Sequence, residues 1–295
     1  MQSLRIRLSV AAFLSLPMLT ACAHQSRNAS PPASPRAGAG TAASHHGLDA
    51  TLWMRTSAEY QATARQTFRL AALRLDQALG DPLWTAALEQ DAAELAGLPP
   101  AIIVDIDETV LDNSPYQALL VAEGLTYEPT SWDRWVRHGE AAPIEGAVEF
   151  LRYADSQGVT VFYVTNRVAA HEPATRRNLE REQMPIDGSR DVVLMRGENG
   201  WTSDKTARRR LIAQSHRILL LLGDDLNDFV PAKEPEPGPR RALAEKYRDL
   251  WGAQWFLFAN PGYGSWVDSL YGMDPALSES EKQRLKTRFL QPFGG

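Results

Sequence analysis

A short apolar run passes directly into a group of acidic residues in the sequence Ala101-Ile102-Ile103-Val104-Asp105-Ile106-Asp107-Glu108-Thr109. The apolar half is rich in β-branched residues, which predicts a strand buried within a sheet. The polar half then places carboxylates and a hydroxyl at the end of that strand. Because ligands of open α/β sheets bind at the carboxyl ends of strands, we expect the chemistry of the chain to lie here.

Four further apolar runs have the character of buried strands, at 160–164, 192–194, 218–222 and 255–258. Helical patterns lie between them, near 147–156, 172–182, 203–214 and 241–250. This alternation predicts an α/β fold, a Rossmann-like, mostly parallel sheet with helices on both faces.

The segments outside this alternation predict a small helical cap. One amphipathic helix begins near Leu48 and ends at Gly80-Asp81-Pro82, and a second helical stretch runs to about Ala96. Residues 112–144 contain no clear strand and many aromatic side chains. Within one domain over 48–295, we therefore expect a core from about 98–111 and 145–270, with a cap from 48–97 and 112–144.

Polar residues follow three of the predicted strands and begin one helix. They are Asp105 and Asp107, then Thr165-Asn166-Arg167, then Lys205, then Gly223-Asp224-Asp225-Leu226-Asn227-Asp228. Carboxylates brought together at one sheet edge repel each other unless a cation is present. Oxygen-only ligands favour a hard ion such as Mg²⁺, and a lysine beside them suits a phosphate group.

These motifs resemble those of the haloacid dehalogenase superfamily, in which DxDxT, a hydroxyl, a lysine and a GDDxxD segment follow in this order. Longer strings are similar to the class C acid phosphatases, which are bacterial surface lipoproteins. The strings are Asp105-Ile-Asp-Glu-Thr-Val-Leu-Asp-Asn-Ser-Pro-Tyr116, Phe162-Tyr-Val-Thr-Asn-Arg167, Gly223-Asp-Asp-Leu-Asn-Asp-Phe229 and Asn260-Pro-Gly-Tyr-Gly-Ser-Trp266. The resemblance covers nearly all of residues 48–295.

The resemblance implies a role for each matching residue. Asp105 is expected to attack phosphorus and form an aspartyl-phosphate, and Asp107 to protonate the leaving oxygen and then activate water. Thr165 and Lys205 are expected to bind the phosphoryl group. Mg²⁺ is expected at Asp105, the Asp107 main-chain carbonyl and Asp224, with Asp228 reached through water. Asp225 stands where relatives are expected to carry Asn, which leaves open whether Asp225 or Asp228 contributes to the metal.

The leaving group is expected to be recognised near the mouth of the sheet. The resemblance implies a base-like ring held between two aromatic side chains, and Trp132 and Tyr263 are the candidates by position. Because stacking tolerates many bases, 5′-nucleotides such as nicotinamide mononucleotide are the expected substrates. Asn166, Arg167, Asn113 and Tyr116 complete the expected substrate-binding set, while Trp135 and Trp266 are weaker candidates. The alternative is that these aromatics only pack the cap.

Competing motifs are incomplete. Val104–Glu108 is similar to a Walker B strand, but no GxxxxGK[ST] loop exists in the chain. An EF-hand beginning at Asp105 would need glycine at its sixth position, where Val110 stands. Arg137-His138-Gly139 matches the start of a histidine-phosphatase motif, but the Arg expected two residues later is Ala141. The run Thr206-Ala-Arg-Arg-Arg210 predicts a solvated helix face.

The N-terminus predicts export and a lipid anchor. Basic residues and a short apolar segment precede Leu19-Thr20-Ala21-Cys22, which resembles a lipobox, so 1–21 is a predicted lipoprotein signal peptide. Cys22 is the only cysteine, and its thiol is the expected site of lipidation. Residues 22–47 are rich in Ala, Ser, Pro and Gly and predict a flexible tether. The expected location is the bacterial outer membrane, on its periplasmic or surface side.

The net charge of the chain limits the partners that we expect. The formal charge is −5, which argues against broad nucleic-acid binding. The expected partners are a small phosphomonoester, a membrane reached through Cys22 and, by family resemblance, a second copy in a homodimer. A non-catalytic, ligand-binding surface lipoprotein on the same fold remains the alternative.

Overall fold

The central sheet of the computed structural model, which describes residues 45–232 and 236–292, has five parallel strands in the order β5-β4-β1-β6-β7. They are β1 (Pro100–Val104), β4 (Thr160–Val168), β5 (Val193–Arg196), β6 (Arg217–Gly223) and β7 (Trp255–Leu257). A separate antiparallel pair joins β2 (Leu111–Asp112) to β3 (Ala142–Pro143). The predicted α/β sheet is therefore confirmed.

The helices lie mostly between the strands. They are α1 (Leu48–Thr56), α2 (Ala58–Gly80), α3 (Ser114–Glu123), α4 (Pro129–His138), α5 (Ala147–Ser156), α6 (Glu172–Arg181), α7 (Thr206–Ala213), α8 (Pro237–Lys246), α9 (Ser265–Asp268) and α10 (Glu279–Thr287). With this strand order, crossovers of the usual right hand would place α5 and α6 on one face of the sheet and α7 and α8 on the other. The chain reverses its lateral direction next to β1, which is where such sheets bind ligands.

Helix α2 belongs to the core of the sheet, which corrects part of the predicted cap. Its buried residues recur every three or four positions and pack against α5, β6 and β7. The Phe68 ring centroid lies 5.6 Å from that of Phe150 and 4.6 Å from that of Phe258. An amphipathic pattern shows that a helix has a buried face but not which element covers it. Helix α1 packs instead against α3, in the region predicted as cap.

The predicted second helix before Ala96 is wrong, because the segment forms turns and one short 3₁₀ helix, Ala92–Glu94. Its polar groups bond to distant elements in place of a helical ladder. The indole N–H of Trp84 donates to Leu219 O at 2.8 Å, and the Gln90 side-chain amide donates to His216 O at 2.8 Å. Tertiary hydrogen bonds of this kind leave no periodic signal in the sequence.

The signal peptide and Cys22 lie outside the described residues, as does most of the predicted tether. Its last residues, 45–47, are described, and a ring nitrogen of His45 lies 2.8 Å from Leu125 O. The folded part therefore begins a few residues earlier than expected. Within the described ranges, no helix has both the length and the apolar character needed to cross a bilayer.

Candidate active site

The first acidic motif lies on a tight turn that begins where β1 ends. Asp105 is 7% exposed, and its N–H donates to Leu222 O of β6 at 2.9 Å. The carbonyl of Ile106 then accepts from Val110 N and Leu111 N, at 3.0 and 2.9 Å. Glu108 adopts a positive φ of 56°, which is uncommon for a residue with a side chain. β1 therefore ends at Val104, and Asp105 and Asp107 lie at the carboxyl end of the sheet.

Lys205 connects two of the acidic elements. Its ammonium contacts Asp105 Oδ1 and lies 2.5 Å from Asp228 Oδ1, and all three side chains are at least nine-tenths buried. Asp224 completes a group in which one oxygen from each of Asp105, Asp224 and Asp228 lies within 4.8 Å of the others. The amide of Asn260 donates to Asp224 Oδ2 at 2.8 Å. Three of the four predicted segments, those of Asp105, of Lys205 and of Asp224 with Asp228, thus meet.

Burial dominates the electrostatics of this group. It raises the pKa of Asp105 to about 7, with Lys205 opposing the shift and Asp228 and Asp107 adding to it. Burial likewise raises the pKa of Asp224 and of Asp228. Desolvation favours neutral Lys205, but Asp105 and Asp228 together raise its pKa above the ordinary value. One ammonium does not neutralise three carboxylates, so the all-oxygen donor set fits a divalent cation.

The carboxylates of Asp225 and Asp228 point in different directions, as their hydrogen bonds show. The Asp225 carboxylate turns away from the cluster, because it accepts from Asn227 N at 2.9 Å and from Ser265 N at 2.7 Å. Asp228 faces Lys205, and its Oδ2 accepts from Asp225 N at 2.9 Å. A Cβ on Gly223 would lie 2.2 Å from Asp228 Oδ2, so this position requires glycine.

Asp107 lies beside the cluster and is held by two side chains. Arg167 donates from Nη2 to Asp107 Oδ1 at 2.7 Å and from Nε to both oxygens, and Asn113 Nδ2 donates to Oδ1 at 2.8 Å. Asn113 also donates from its backbone N–H to Glu108 at 2.9 Å and accepts from Trp135 Nε1 at 2.7 Å. Burial raises the pKa of Glu108 well above its usual range.

Three residues predicted to contact substrate are buried and engaged elsewhere. Asn113, Tyr116 and Arg167 are 0%, 1% and 3% exposed. The Tyr116 hydroxyl lies 2.9 Å from Ser131 Oγ within the cap. In the structure these side chains contact Asp107 and the cap helices, and their expected part in substrate binding stays a prediction.

The end of β4 supplies the hydroxyl and its neighbour. β4 continues past Thr165, but its pairing with β5 is interrupted between Val164 and Val168. Thr165 is buried in this interruption, and its Oγ1 accepts from Arg167 N at 3.1 Å. Asn166 is exposed and donates to Ser203 O at 3.1 Å, next to the loop that carries Lys205.

The aromatic candidates are divided between the cap and the loop after β7. Trp132 on α4 is partly buried, with its ring centroid 5.1 Å from that of Tyr116 and 5.8 Å from Arg167 Cζ. Tyr263 is partly buried, and its N–H donates to Asn260 Oδ1 at 3.3 Å. Trp266 is 42% exposed. Trp132 thus lies next to an Asp107 partner, whereas Tyr263 lies near the Asp224 partner Asn260.

Sequence reasoning missed two arginines. Arg208 and Arg209 on α7 are 0% and 1% exposed, so the predicted solvated face holds only for Arg210 and its neighbours. The signal was their spacing, since residues three and four positions after Lys205 share its helix face. His138 of the competing motif is exposed and pairs with Glu140 at 2.8 Å, as expected for a surface residue.

Comparison with known proteins agrees with this arrangement. Residues 37–266 match the family model of HAD superfamily, subfamily IIIB (Acid phosphatase). The class C acid phosphatase of Bacillus anthracis, solved with tungstate bound, is 33% identical with a TM-score of 0.75, over 85% of this chain and 99% of that one.

Two curated relatives are more distant. Acid phosphatase 1 of Solanum lycopersicum is 25% identical over 43% of this chain, and the class B acid phosphatase of Morganella morganii is 26% identical over 50%. The alignments span 51% and 64% of those two relatives. Because the family model matches most of the chain, the protein belongs to the acid phosphatases of HAD subfamily IIIB.

Proposed function

We propose that this protein is a Mg²⁺-dependent acid phosphatase that hydrolyses phosphomonoesters through an aspartyl-phosphate. The observation that carries the proposal is the buried contact of Lys205 with Asp105 and Asp228 at the sheet edge, beside Asp224. Because the cluster has one ammonium for three carboxylates, it favours the binding of a cation. A bound cation in turn favours an anionic substrate. The related B. anthracis enzyme binds tungstate, an oxyanion similar to phosphate, which supports the same substrate class.

Asp105 and Asp107 have different roles in the proposed reaction. A carboxylate oxygen of Asp105 attacks phosphorus, the bond to the leaving oxygen breaks, and Asp107 gives that oxygen a proton. Asp107 then takes a proton from water, the water oxygen attacks the aspartyl-phosphate, and phosphate leaves. Arg167 and Asn113 keep Asp107 in position for both transfers, since they contact its carboxylate directly. Thr165 and Lys205 bind the phosphoryl oxygens.

Mg²⁺ would be held by Asp105, the Asp107 main-chain carbonyl, Asp224 and Asp228, where it would offset the negative charge of phosphoryl transfer. Removal of divalent ions with EDTA should abolish hydrolysis of p-nitrophenyl phosphate, and added Mg²⁺ should restore it. Activity that is indifferent to EDTA would contradict the metal requirement and favour a histidine phosphatase.

For the leaving group, 5′-nucleotides, including nicotinamide mononucleotide, are the proposed class, with stacking on Trp132 and Tyr263. Trp132→Ala should raise the KM for nucleotides about tenfold or more, from the loss of one stacking contact. The KM for p-nitrophenyl phosphate should change little. Equal effects on both substrates would show that Trp132 only packs the cap.

Export, anchoring through Cys22, an outer-membrane location and a homodimer complete the proposal. Cys22→Ser should abolish incorporation of labelled palmitate and release the protein from membranes. Labelling that survives the substitution would contradict the anchor. A catalytically silent binding lipoprotein is the competing function, and phosphate release from any ester in a nucleotide, sugar phosphate and phosphotyrosine screen would exclude it.

A further inference from the structure

Helix α7 carries two neighbouring arginines that are buried, whereas the next residue, Arg210, is exposed. Arg208 and Arg209 are 0% and 1% exposed. Burying a guanidinium is unfavourable unless its N–H groups are paired, so their partners indicate what each side chain holds in place.

Arg208 contacts the end of β4. Its Nη1 donates to the carbonyl of Thr165, and its Nη2 donates to Asn166 Oδ1 at 2.8 Å and to Thr202 O at 3.1 Å. Burial lowers its pKa to about 10, which leaves the side chain charged at neutral pH. The planar guanidinium therefore fixes the backbone that carries the Thr165 hydroxyl.

Arg209 contacts the opposite side of the site. Its Nη1 donates to the carbonyl of Asp228 at 3.0 Å, and its Nε donates to Glu89 Oε1 at 2.9 Å. Glu89 is itself buried, with 6% of its side chain exposed, so the ion pair keeps the guanidinium in one orientation. The backbone of Asp228 is thereby fixed while its carboxylate faces Lys205.

We propose that α7 positions the two sides of the catalytic site through separate arginines, Arg208 for the phosphoryl-binding turn at Thr165 and Arg209 for the metal-side carboxylate of Asp228. This inference rests on the proposed function, because it uses the roles given there to Thr165 and Asp228. Both arginines are positioning residues, and neither contacts the substrate. Their separation predicts two independent effects on ligand binding.

The test compares Arg208→Met, Arg209→Met and the exposed control Arg210→Met by isothermal titration calorimetry of the full chain. The first titration uses MgCl₂ alone, and the second uses inorganic phosphate with Mg²⁺ at saturation. Arg209→Met should weaken Mg²⁺ binding about 10- to 100-fold and leave phosphate affinity unchanged, as expected for loss of a group that orients a metal ligand.

Arg208→Met should weaken phosphate binding about tenfold or more and leave Mg²⁺ affinity unchanged, because a displaced hydroxyl loses its bond to the anion. Arg210→Met should change neither. Equal loss of both ligands in the two buried variants, or no loss in either, would overturn the inference. Where a methionine variant does not unfold cooperatively, Arg208→Lys or Arg209→Lys makes the same comparison, since lysine keeps the charge and lacks the fork.

The wild-type titrations separate failure of the proposed function from failure of the roles given to Arg208 and Arg209. If wild-type protein binds neither Mg²⁺ nor phosphate, the proposed function itself fails. If it binds both and the variants show no separation, only the division between Arg208 and Arg209 fails.

Discussion

Gly223 shows how one residue without a side chain permits the acidic cluster. The carboxylate of Asp228 occupies the space in which any Cβ at this position would lie. The bond from Asp225 N to Asp228 Oδ2 keeps the carboxylate there. The GDDxxD pattern therefore has a steric basis in addition to its chemical one.

Gly223→Ala should displace Asp228, lower the free energy of unfolding by about 1–3 kcal/mol through overpacking, and weaken Mg²⁺ binding. Gly188→Ala is the matched control, since nothing lies within 4 Å of a Cβ at that position. Urea unfolding and calorimetric Mg²⁺ titration would measure the two effects. Mg²⁺ affinity equal to that of the control would contradict the steric argument.

The turn between β1 and α3 links the catalytic acids to the cap. Asn113 bonds through its side-chain amide to Asp107 and Trp135 and through its backbone to Glu108, so one residue connects the proposed acid–base group to α4. The sequence does not show this link, because a motif gives the position of Asn113 but not its hydrogen-bond partners.

Asn113→Ala should therefore lower kcat about 100-fold, because Asp107 loses a donor that orients it. Calorimetric binding of inorganic phosphate should be largely retained, since Asn113 contacts neither Thr165 nor Lys205 among the bonds described. Leu119→Ala, at an exposed position on helix α3, which follows Asn113, serves as the control. A kcat within twofold of the control would show that Arg167 alone suffices to orient Asp107.

The strands were the most predictable elements, and the reason is physical. A strand buried on both faces must be apolar throughout, so 101–104 and 218–222 mark β1 and β6 in the sequence itself. The helix predicted before β1 was wrong because Trp84 and Gln90 form hydrogen bonds with residues more than a hundred positions away. Helix α2 was recognised as a helix, but its partners α5 and β7 are set by topology.

The candidate site was also predictable only in part, because some of its features follow from topology and others from local turns. Topology brings strand ends together, which made Asp105, Lys205 and Asp224 predictable as neighbours. The direction of each side chain depends on local turns, so the sequence alone did not decide between Asp225 and Asp228. The buried partners Arg208 and Arg209 were assigned to a solvated face because arginine is usually exposed.

At the scale of the whole molecule, the buried acids make the stability of the fold depend on pH. Asp105, Asp224, Asp228 and Glu108 all have raised pKa values without a metal, so the folded protein binds their protons more tightly than the unfolded chain does. Their contribution to stability is complete at low pH and is lost as pH rises, for Asp105 through about 7.

In the proposed site Mg²⁺ would bind the charged carboxylates, so its stabilising effect should grow as pH rises. Thermal unfolding of the metal-free protein, with and without MgCl₂, should show a larger increase in Tm at a pH above 7 than at a pH near 5. Taking the difference at each pH removes titration elsewhere in the chain. An equal or larger increase at the lower pH would contradict the assignment of Asp105, Asp224 and Asp228 to a metal site.

Trapping of the covalent intermediate shows directly whether Asp105 is the nucleophile. Enzyme mixed with a phosphomonoester and Mg²⁺ is acid-quenched, reduced with borohydride and mapped by peptide mass spectrometry. We expect an acyl phosphate at Asp105 to be reduced to homoserine, with no such product in the absence of substrate. Active enzyme that carries its phosphate on a histidine, or shows no modification of Asp105, would contradict it.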